Sequence, residues 1–462
     1  MRILLINPPI REDEPPRHIP FGLATIASVL QQEGHNVEML DINGFRYSEA
    51  EIEAKLAVND RYDMIATGGL ITLYKYLKWL APVIRQHNPK TPIVLGGGVV
   101  STHPKLLLSK TPADIAVIGE GEATMSELAS QMEAGKSIQS VKGIAYKPKK
   151  GQIKVNPPRP LISNLDDIPF PAYDLFPMEI YLNNVGHADA ILKSTEFSLI
   201  TCRGCPYSCH FCYGLFGCVR NRSIDNVIAE IQLLEDKYNP ETYLILDEIF
   251  TTSRKRVKEF HEKTKKEGVD LTFSCYGRVN IINSEILTTL KKSGCYSVGY
   301  GIESGSQKIL DNMNKRVTVE QAKKAIRLTR KHHIMPRSTF MIGYPGETEE
   351  TLNETIAFCR ELNLSPEFFI TTAYPGTQLY KDHEKEILAQ YGSLDAYFSV
   401  LGDATYLTFN FTDFSDDKLL ELRTEMQQKL RKRRRLENIY HNLRIYGPTL
   451  LARKYLRRIR AS

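Results

Sequence analysis

The 462-residue chain has little that would mark a membrane, secreted or fibrous protein. No apolar run reaches the ~18–20 residues needed to span a bilayer, which excludes a helical membrane domain. The opening "MRILLINPPI" is too short, and too soon followed by charge, to serve as a signal peptide. Internal repeats and low-complexity tracts are absent, so a solenoid or a disordered array is excluded. The eight cysteines lack the spaced pairs of a disulfide framework, and Cys202, Cys205, Cys209, Cys212 and Cys218 crowd one stretch. The expectation is a cytoplasmic protein with reduced thiols and a metal.

A large charge excess is also missing over most of the chain. The net charge is +6, but residues 429–462 hold twelve Lys or Arg against Glu437 alone, and that local +11 leaves −5 for residues 1–428. With 42% hydrophobic and 25% charged residues the composition is that of a globular enzyme, and the length calls for two or three domains.

Hydrophobic periodicity then divides the chain. "RILLINPP" (2–9), "NVEMLDIN" (36–43), "DMIATGG" (63–69), "PIVLGGG" (92–98) and "DIAVIGEGE" (114–122) read as buried strands, separated by helical patterns such as "LATIASVLQQEG". This predicts an α/β fold that opens with a doubly wound, Rossmann-like parallel sheet over residues 1–145. Its ligand crevice lies at the strand C-terminal ends, where Asn7, Gly68, Gly69, Gly96, Gly97, Gly98, Gly119 and Glu120 fall. No G-x-G-x-x-G follows the first strand, so a dinucleotide fingerprint is absent.

Residues 146–195, rich in proline and charge, read as a linker. A second alternating series occupies 196–385, with strands "FSLITCR" (197–203), "TYLILDE" (242–248), "LTFSCYG" (271–277), "SVGYGIES" (297–304), "RSTFMIGYP" (337–345) and "EFFITTAYP" (367–375). Ser223, Ser253, Asn283 and Thr348 announce helices after these strands, and Thr318 with Gln321 fits a capping box. Six such strands predict a partial (β/α)6 TIM-like barrel. Residues 386–462 form a C-terminal, helical and basic region. A solvated helix face is the ordinary reading of its charge; the sharper ones are a polyanionic partner or peripheral membrane contact. Nucleic acid is not expected, because no nucleic-acid-binding module accompanies the charge.

In "TCRGCPYSCHFC" (201–212), the central gap between Cys-x2-Cys pairs is three residues, against a dozen or more in the usual two-knuckle zinc site. So tight a loop suits three thiolates, Cys205, Cys209 and Cys212, gripping three corners of a [4Fe–4S] cluster and leaving one iron open. Cys202, at the strand end, need not be a ligand.

Cys-x3-Cys-x2-Cys with Phe211 before the last cysteine resembles the signature of the radical S-adenosylmethionine (SAM) superfamily. The resemblance implies that SAM chelates the open iron and that its reductive cleavage releases a 5′-deoxyadenosyl radical. "GYGIESGS" (299–306) resembles the family's ribose motif, which implies that Glu303 accepts hydrogen bonds from the ribose hydroxyls. "LDE" (246–248) stands where the family has Gly-Gly-Glu for the SAM amino group, with Asp247 and Glu248 as the corresponding residues. "FMIGYPGET" (340–348) resembles the segment beside the adenine, including Gly343, and "AYPGT" (373–377) the sixth strand end. Arg278 is the candidate partner of the SAM carboxylate.

The N-terminal region resembles the cobalamin-binding domain that precedes many radical SAM domains, through "LLINPP" (4–9), "PFGLATIASVLQQEGHNVEMLD" (20–41), "IVLGGGVVSTHP" (93–104), "VIGEGEAT" (117–124) and the linker "LDDIPFPAYDLFP" (165–177). A corrinoid lying across the strand ends is implied. No Asp-x-His-x-x-Gly follows the first strand and His18 has the wrong spacing, so cobalt is expected to lack a protein imidazole. The implied activity is methyl transfer to an unactivated carbon through methylcobalamin and the adenosyl radical. The alternatives are a cobalamin-dependent cyclase or rearrangement enzyme, a non-catalytic Fe–S electron carrier or corrinoid sensor with Cys202 as fourth ligand, and a zinc protein. The expected partners are a small-molecule or lipid-like substrate and an electron donor such as flavodoxin or ferredoxin.

Overall fold

The structure, a computed structural model, describes residues 1–11, 14–58, 62–183, 195–214 and 216–430. Residues 431–462, with nearly all of the basic run, lie outside the described residues. Two compact units are formed, Met1–Asn184 with Tyr374–Gly376 and His383–Leu401, and Val185–Ala373 with Thr377–Asp382 and Gly402–Ser462.

The first unit is built on seven strands: β1 (Arg2–Asn7), β2 (Asn36–Asp41), β3 (Met64–Gly68), β4 (Ile93–Gly96), β5 (Ile115–Val117), β6 (Ile144–Tyr146) and β7 (Lys154–Val155). They lie in the order β2-β1-β3-β4-β5-β6-β7. The first five pair in parallel, as their continuous apolar runs require of strands covered on both faces. Ile3, Leu5, Ala66 and Val94 share one core with Ala27 and Leu30 of the helix Phe21–Gln32 and Leu128 of the helix Glu122–Glu133. The strand order reverses at β1, which places a crevice outside the β1 and β3 C-terminal ends.

Two features depart from the linear reading. The hairpin β6–β7 adds two antiparallel strands to the five expected; strands of three and two residues are too short to show a period. The helix Leu394–Val400 also packs into this unit, where Asp395 accepts hydrogen bonds from Tyr74 (2.6 Å) and Lys78 (2.9 Å) and Phe398 meets the Tyr74 ring edge-on.

The second unit carries β8 (Glu196–Leu199), β9 (Cys202–Arg203), β10 (Arg220–Asn221), β11 (Thr242–Ile245), β12 (Phe273–Gly277), β13 (Cys295–Glu303), β14 (Met335–Ile342) and β15 (Glu367–Ile370). β8, β11, β12, β13, β14 and β15 form a six-stranded, wholly parallel sheet in strict chain order, the curled partial barrel that the sequence predicts. Ser223, Ser253, Asn283, Thr318 and Thr348 each cap a helix by accepting a backbone N–H, and Thr318 completes its box with Gln321. Each such cap contributes about 1 kcal/mol.

One face of this sheet is aromatic. Phe273 packs edge-on against Phe250 and Phe260, and Phe340 against Phe358. The other face is mixed: ladder partners share a face, so Ser198, Leu244, Ser274, Ser297 and Met335 form one row and Tyr276, Gly299 and Arg337 the next. β8 ends at Leu199, earlier than the run "FSLITCR" suggests, because the N–H groups of Thr201 and Cys202 leave the ladder to bind Asp247.

Candidate functional site

The cysteine loop runs between β9 and β10, which pair as a short antiparallel ribbon. Gly204, at φ +92°, begins it; a Cβ there would lie 2.0 Å from the Cys218 carbonyl oxygen, so only glycine fits. The Asp247 carboxylate, 1% exposed, accepts hydrogen bonds from the N–H groups of Thr201 (2.6 Å) and Cys202 (3.0 Å) and from the Thr201 hydroxyl. Arg256 donates to the Thr201 carbonyl from the same side, at 3.0 Å. Burial pushes the Asp247 carboxyl up, against the pull of these hydrogen bonds and of Arg256. Asp247 is thus spent on anchoring the loop.

Cys202 belongs to this anchor. Its thiol is buried, and burial above all, with Asp247 next, pushes it far up. Cys205 and Cys209 are half-buried and Cys212 faces solvent. Burial raises the Cys205 thiol, with Cys209 among the further causes. Although Cys212 is exposed as a residue, its thiol is pushed up to about 11, first by surrounding protein atoms and then by Cys209 and Cys205. The three cysteines share one short loop, where the Cys212 N–H donates to the Cys209 carbonyl at 3.1 Å. Among the described residues no group of three or more His, Cys, Asp or Glu side chains is arranged to hold a metal ion.

Side chains from the later strand ends close on the loop. The Arg278 guanidinium, just after β12, stacks on the Tyr207 ring (3.7 Å to the centroid), reaches Cys209 Sγ at 3.7 Å and donates to the Lys315 carbonyl. Its Nε is buried without a hydrogen-bond partner. Lys315 Nζ donates to Glu303 Oε1 at 2.8 Å and lies 5.4 Å from the centroid of the Phe211 ring. Glu303 ends β13 at φ +72°, where the register with β14 shifts. The loop itself is pinned by His210 N–H to the Met313 carbonyl (3.0 Å) and by Leu379 N–H to the His210 carbonyl (2.8 Å).

Two further predicted residues stand beside this group. Glu248 is exposed, and Gly204 N–H approaches its Oε1 at 3.4 Å. Gly343, at φ +86°, donates its N–H to Glu347 Oε2 at 2.6 Å, and a Cβ there would stand 3.1 Å from Leu419. Burial pushes the Glu347 carboxyl up to about 7, against the N–H groups of Gly343 and Tyr344. Sequence reasoning missed Lys315, Tyr207 and Glu347. For Lys315 the only trace is Gly301: a Cβ there would lie 2.3 Å from Glu303 Oε1 and 3.4 Å from Lys315 Nζ.

At the strand ends of the first unit the predicted residues are mostly engaged with the protein itself. Asn7, 2% exposed, donates to Asp41 (2.7 Å) and to Tyr181 Oη (3.2 Å), and Tyr181 donates in turn to Asp41. A Cβ at Gly68 would stand 2.2 Å from the Gly96 carbonyl oxygen, and one at Gly97 2.6 Å from that of Gly69; these glycines let two backbones touch. A Cβ at Gly69 would meet Leu73, and Gly98 is buried at the start of a helix. Glu120 accepts the Ile162 N–H at 2.8 Å. A Cβ added at Gly96 or at Gly119 would meet nothing within 4 Å.

Comparison with known proteins agrees with the geometry. The model of the radical SAM superfamily matches residues 199–359 and that of the B12-binding domain residues 14–129. An uncharacterized methyltransferase of Pyrococcus horikoshii is 33% identical over 391 residues, 82% of this chain and 83% of the relative. An anaerobic magnesium-protoporphyrin IX monomethyl ester cyclase of Rubrivivax gelatinosus is 28% identical over 400 residues, 83% of this chain and 70% of the relative. The structure of the radical SAM methyltransferase TsrM from Kitasatospora setae, solved with cobalamin and a [4Fe–4S] cluster, superposes with a TM-score of 0.69 at 19% identity, covering 84% of this chain and 75% of that one. The chain belongs to the family of cobalamin-dependent radical SAM enzymes.

Proposed function

We propose that the protein is a methyltransferase that places a methyl group on an unactivated carbon of a small molecule. The observation that carries the reading is the convergence of Cys205, Cys209 and Cys212 with Arg278, Lys315 and Glu303 at the strand ends of one parallel sheet. The residues present fit the implied groups: three thiols with a fourth held away in the loop anchor, a buried Arg278 Nε without a partner, and open backbone at Gly96 and Gly119. When bound, a reduced [4Fe–4S] cluster with SAM supplies a hydrogen-abstracting radical and cobalamin supplies a transferable methyl group.

Cys205, Cys209 and Cys212 hold the cluster, and the buried, Asp247-anchored Cys202 stays off it. Glu303 offers its second oxygen, Oε2, to the SAM ribose diol, since a carboxylate accepts from both hydroxyls. Glu248, exposed at the loop entrance, receives the SAM ammonium. Arg278 offers its remaining N–H to the SAM carboxylate, and Phe211 and Gly343 line the same space. Asp247, assigned to SAM on sequence, acts as loop anchor instead. In the first unit the corrinoid would be received at Gly96 and Gly119. The domain limits read from the sequence, 1–145, 146–195, 196–385 and 386–462, follow this division of labour except at the helix Leu394–Val400, which belongs with the first unit.

Cys212 at the exposed side of the loop gives a small electron donor such as flavodoxin or ferredoxin its approach. No helix among the described residues is long and apolar enough to cross a membrane; cytoplasmic placement, with membrane contact confined to the basic C-terminus, completes the proposal.

The test is anaerobic. The protein is reconstituted with iron, sulfide and cobalamin, given SAM and a strong reductant, and its products are quantified by mass spectrometry. S-adenosylhomocysteine together with 5′-deoxyadenosine is the expected result. Deoxyadenosine alone, with cobalamin bound, would favour the ring-forming chemistry of the cyclase relative.

A further inference from the structure

Lys315 is a buried lysine, 6% exposed, on the short segment between the helix Gln307–Asn312 and the helix Val319–Lys331. Burying an ammonium costs several kcal/mol unless a partner offsets it, and Glu303 Oε1 at 2.8 Å is that partner. The pair is built with some expense to the backbone. Glu303 holds φ +72°, a left-handed conformation that non-glycine residues seldom adopt, and β13 shifts register against β14 beside it. Gly301 leaves out the Cβ that would strike Glu303 Oε1. Arg278, in contact with Cys209 Sγ and the Tyr207 ring, fixes the backbone under Lys315 through its carbonyl. One chain of contacts therefore runs from the cysteine loop through Arg278 and Lys315 to Glu303.

We propose that Lys315 is a positioning residue that holds one oxygen of the Glu303 carboxylate, so that the other is presented to the SAM ribose. The inference rests on the reading of this site as a SAM site. Its consequence is that Lys315 acts through Glu303 and adds nothing once Glu303 is changed. A buried charged hydrogen bond of this kind is worth about tenfold to a hundredfold in affinity.

The experiment uses the full chain, reconstituted anaerobically, with SAM itself as the probe. Bound SAM is followed by equilibrium dialysis and by the change it causes in the electron paramagnetic resonance spectrum of the reduced cluster. Iron content is measured for each variant. Lys315→Met is expected to keep its iron and to bind SAM about tenfold to a hundredfold more weakly; Lys315→Arg is expected to recover most of that loss. In the double variant Lys315→Met with Glu303→Gln, SAM should bind no more weakly than to Glu303→Gln alone, because the two residues act as one unit. Additive losses would overturn the positioning role, as would unchanged SAM binding in Lys315→Met. Loss of iron in both Lys315→Met and Lys315→Arg would overturn it too, by showing a structural role. If the wild-type protein with its cluster intact shows no response to SAM, the SAM-site reading itself fails, an outcome the wild-type control separates from the rest.

Discussion

Gly68 and Gly301 stand near the C-terminal ends of strands in two parallel sheets, and an added Cβ would collide at 2.2 Å in one case and 2.3 Å in the other. What it would strike differs. At Gly68 the obstacle is the Gly96 carbonyl, part of a backbone that cannot step aside; at Gly301 it is the tip of the Glu303 side chain. In the first unit glycine, and the closed network of Asn7, Asp41 and Tyr181, serve the fold. In the second unit glycine makes room for the Glu303 carboxylate, which pairs with buried Lys315 and, on the proposal above, faces SAM. The same residue type at the same topological place thus marks packing in one sheet and chemistry in the other.

Substitution separates the two most sharply. Gly68→Ala is expected to destabilise the protein by about 3 kcal/mol, since neither backbone can yield, and a denaturant titration reads it. Gly301→Ala is expected to cost less stability than Gly68→Ala, because a side-chain tip can shift where a backbone cannot, while displacing Glu303 so that SAM binding falls about tenfold or more. Equal losses of stability in the two variants would erase the distinction.

Glu347 sharpens the comparison through pH. Its carboxyl is raised from 4.5 to about 7 by burial. Between those pH values the folded state keeps a proton that the unfolded chain releases. The stability this group contributes is therefore complete below about 4.5 and lost as pH rises through about 7, on the order of 3 kcal/mol in all. Glu347→Gln should flatten stability against pH in that window relative to wild type, measured by urea unfolding at pH 5 and pH 8; an unchanged difference between the two pH values would contradict this account.

The smallest effect belongs to the closed network. Tyr181→Phe removes one donor to Asp41 and should cost about 1–2 kcal/mol of unfolding free energy while leaving SAM binding untouched. A loss of SAM binding at unchanged stability would place Tyr181 in the wrong class.

What was legible in the sequence was local. The cysteine spacing, the helix caps at Ser223 to Thr348 and the apolar runs of the strands each act within a few residues, and the structure places all of them as elements. The anchoring contacts of Asp247 were not legible, because its partners Thr201 and Cys202 lie more than forty residues earlier and no spacing rule connects them. Lys315 escaped notice because its partner is twelve residues away across a strand end and a helix. The glycines at 68, 69 and 97 read as ligand space because a sequence shows an absent side chain without showing what fills its place. The hairpin β6–β7 and the Asp395 helix were hidden for the same reason: each is stabilised by contacts made far along the chain.

The most direct test of the account is the iron content of single Cys→Ala variants at positions 202, 205, 209, 212 and 218 after anaerobic reconstitution. The account predicts about four irons per chain in the Cys202 and Cys218 variants, as in wild type, and near-complete loss in the other three. Loss of iron from Cys202→Ala in a protein that remains folded would contradict it, because a fully ligated cluster has no iron left for SAM.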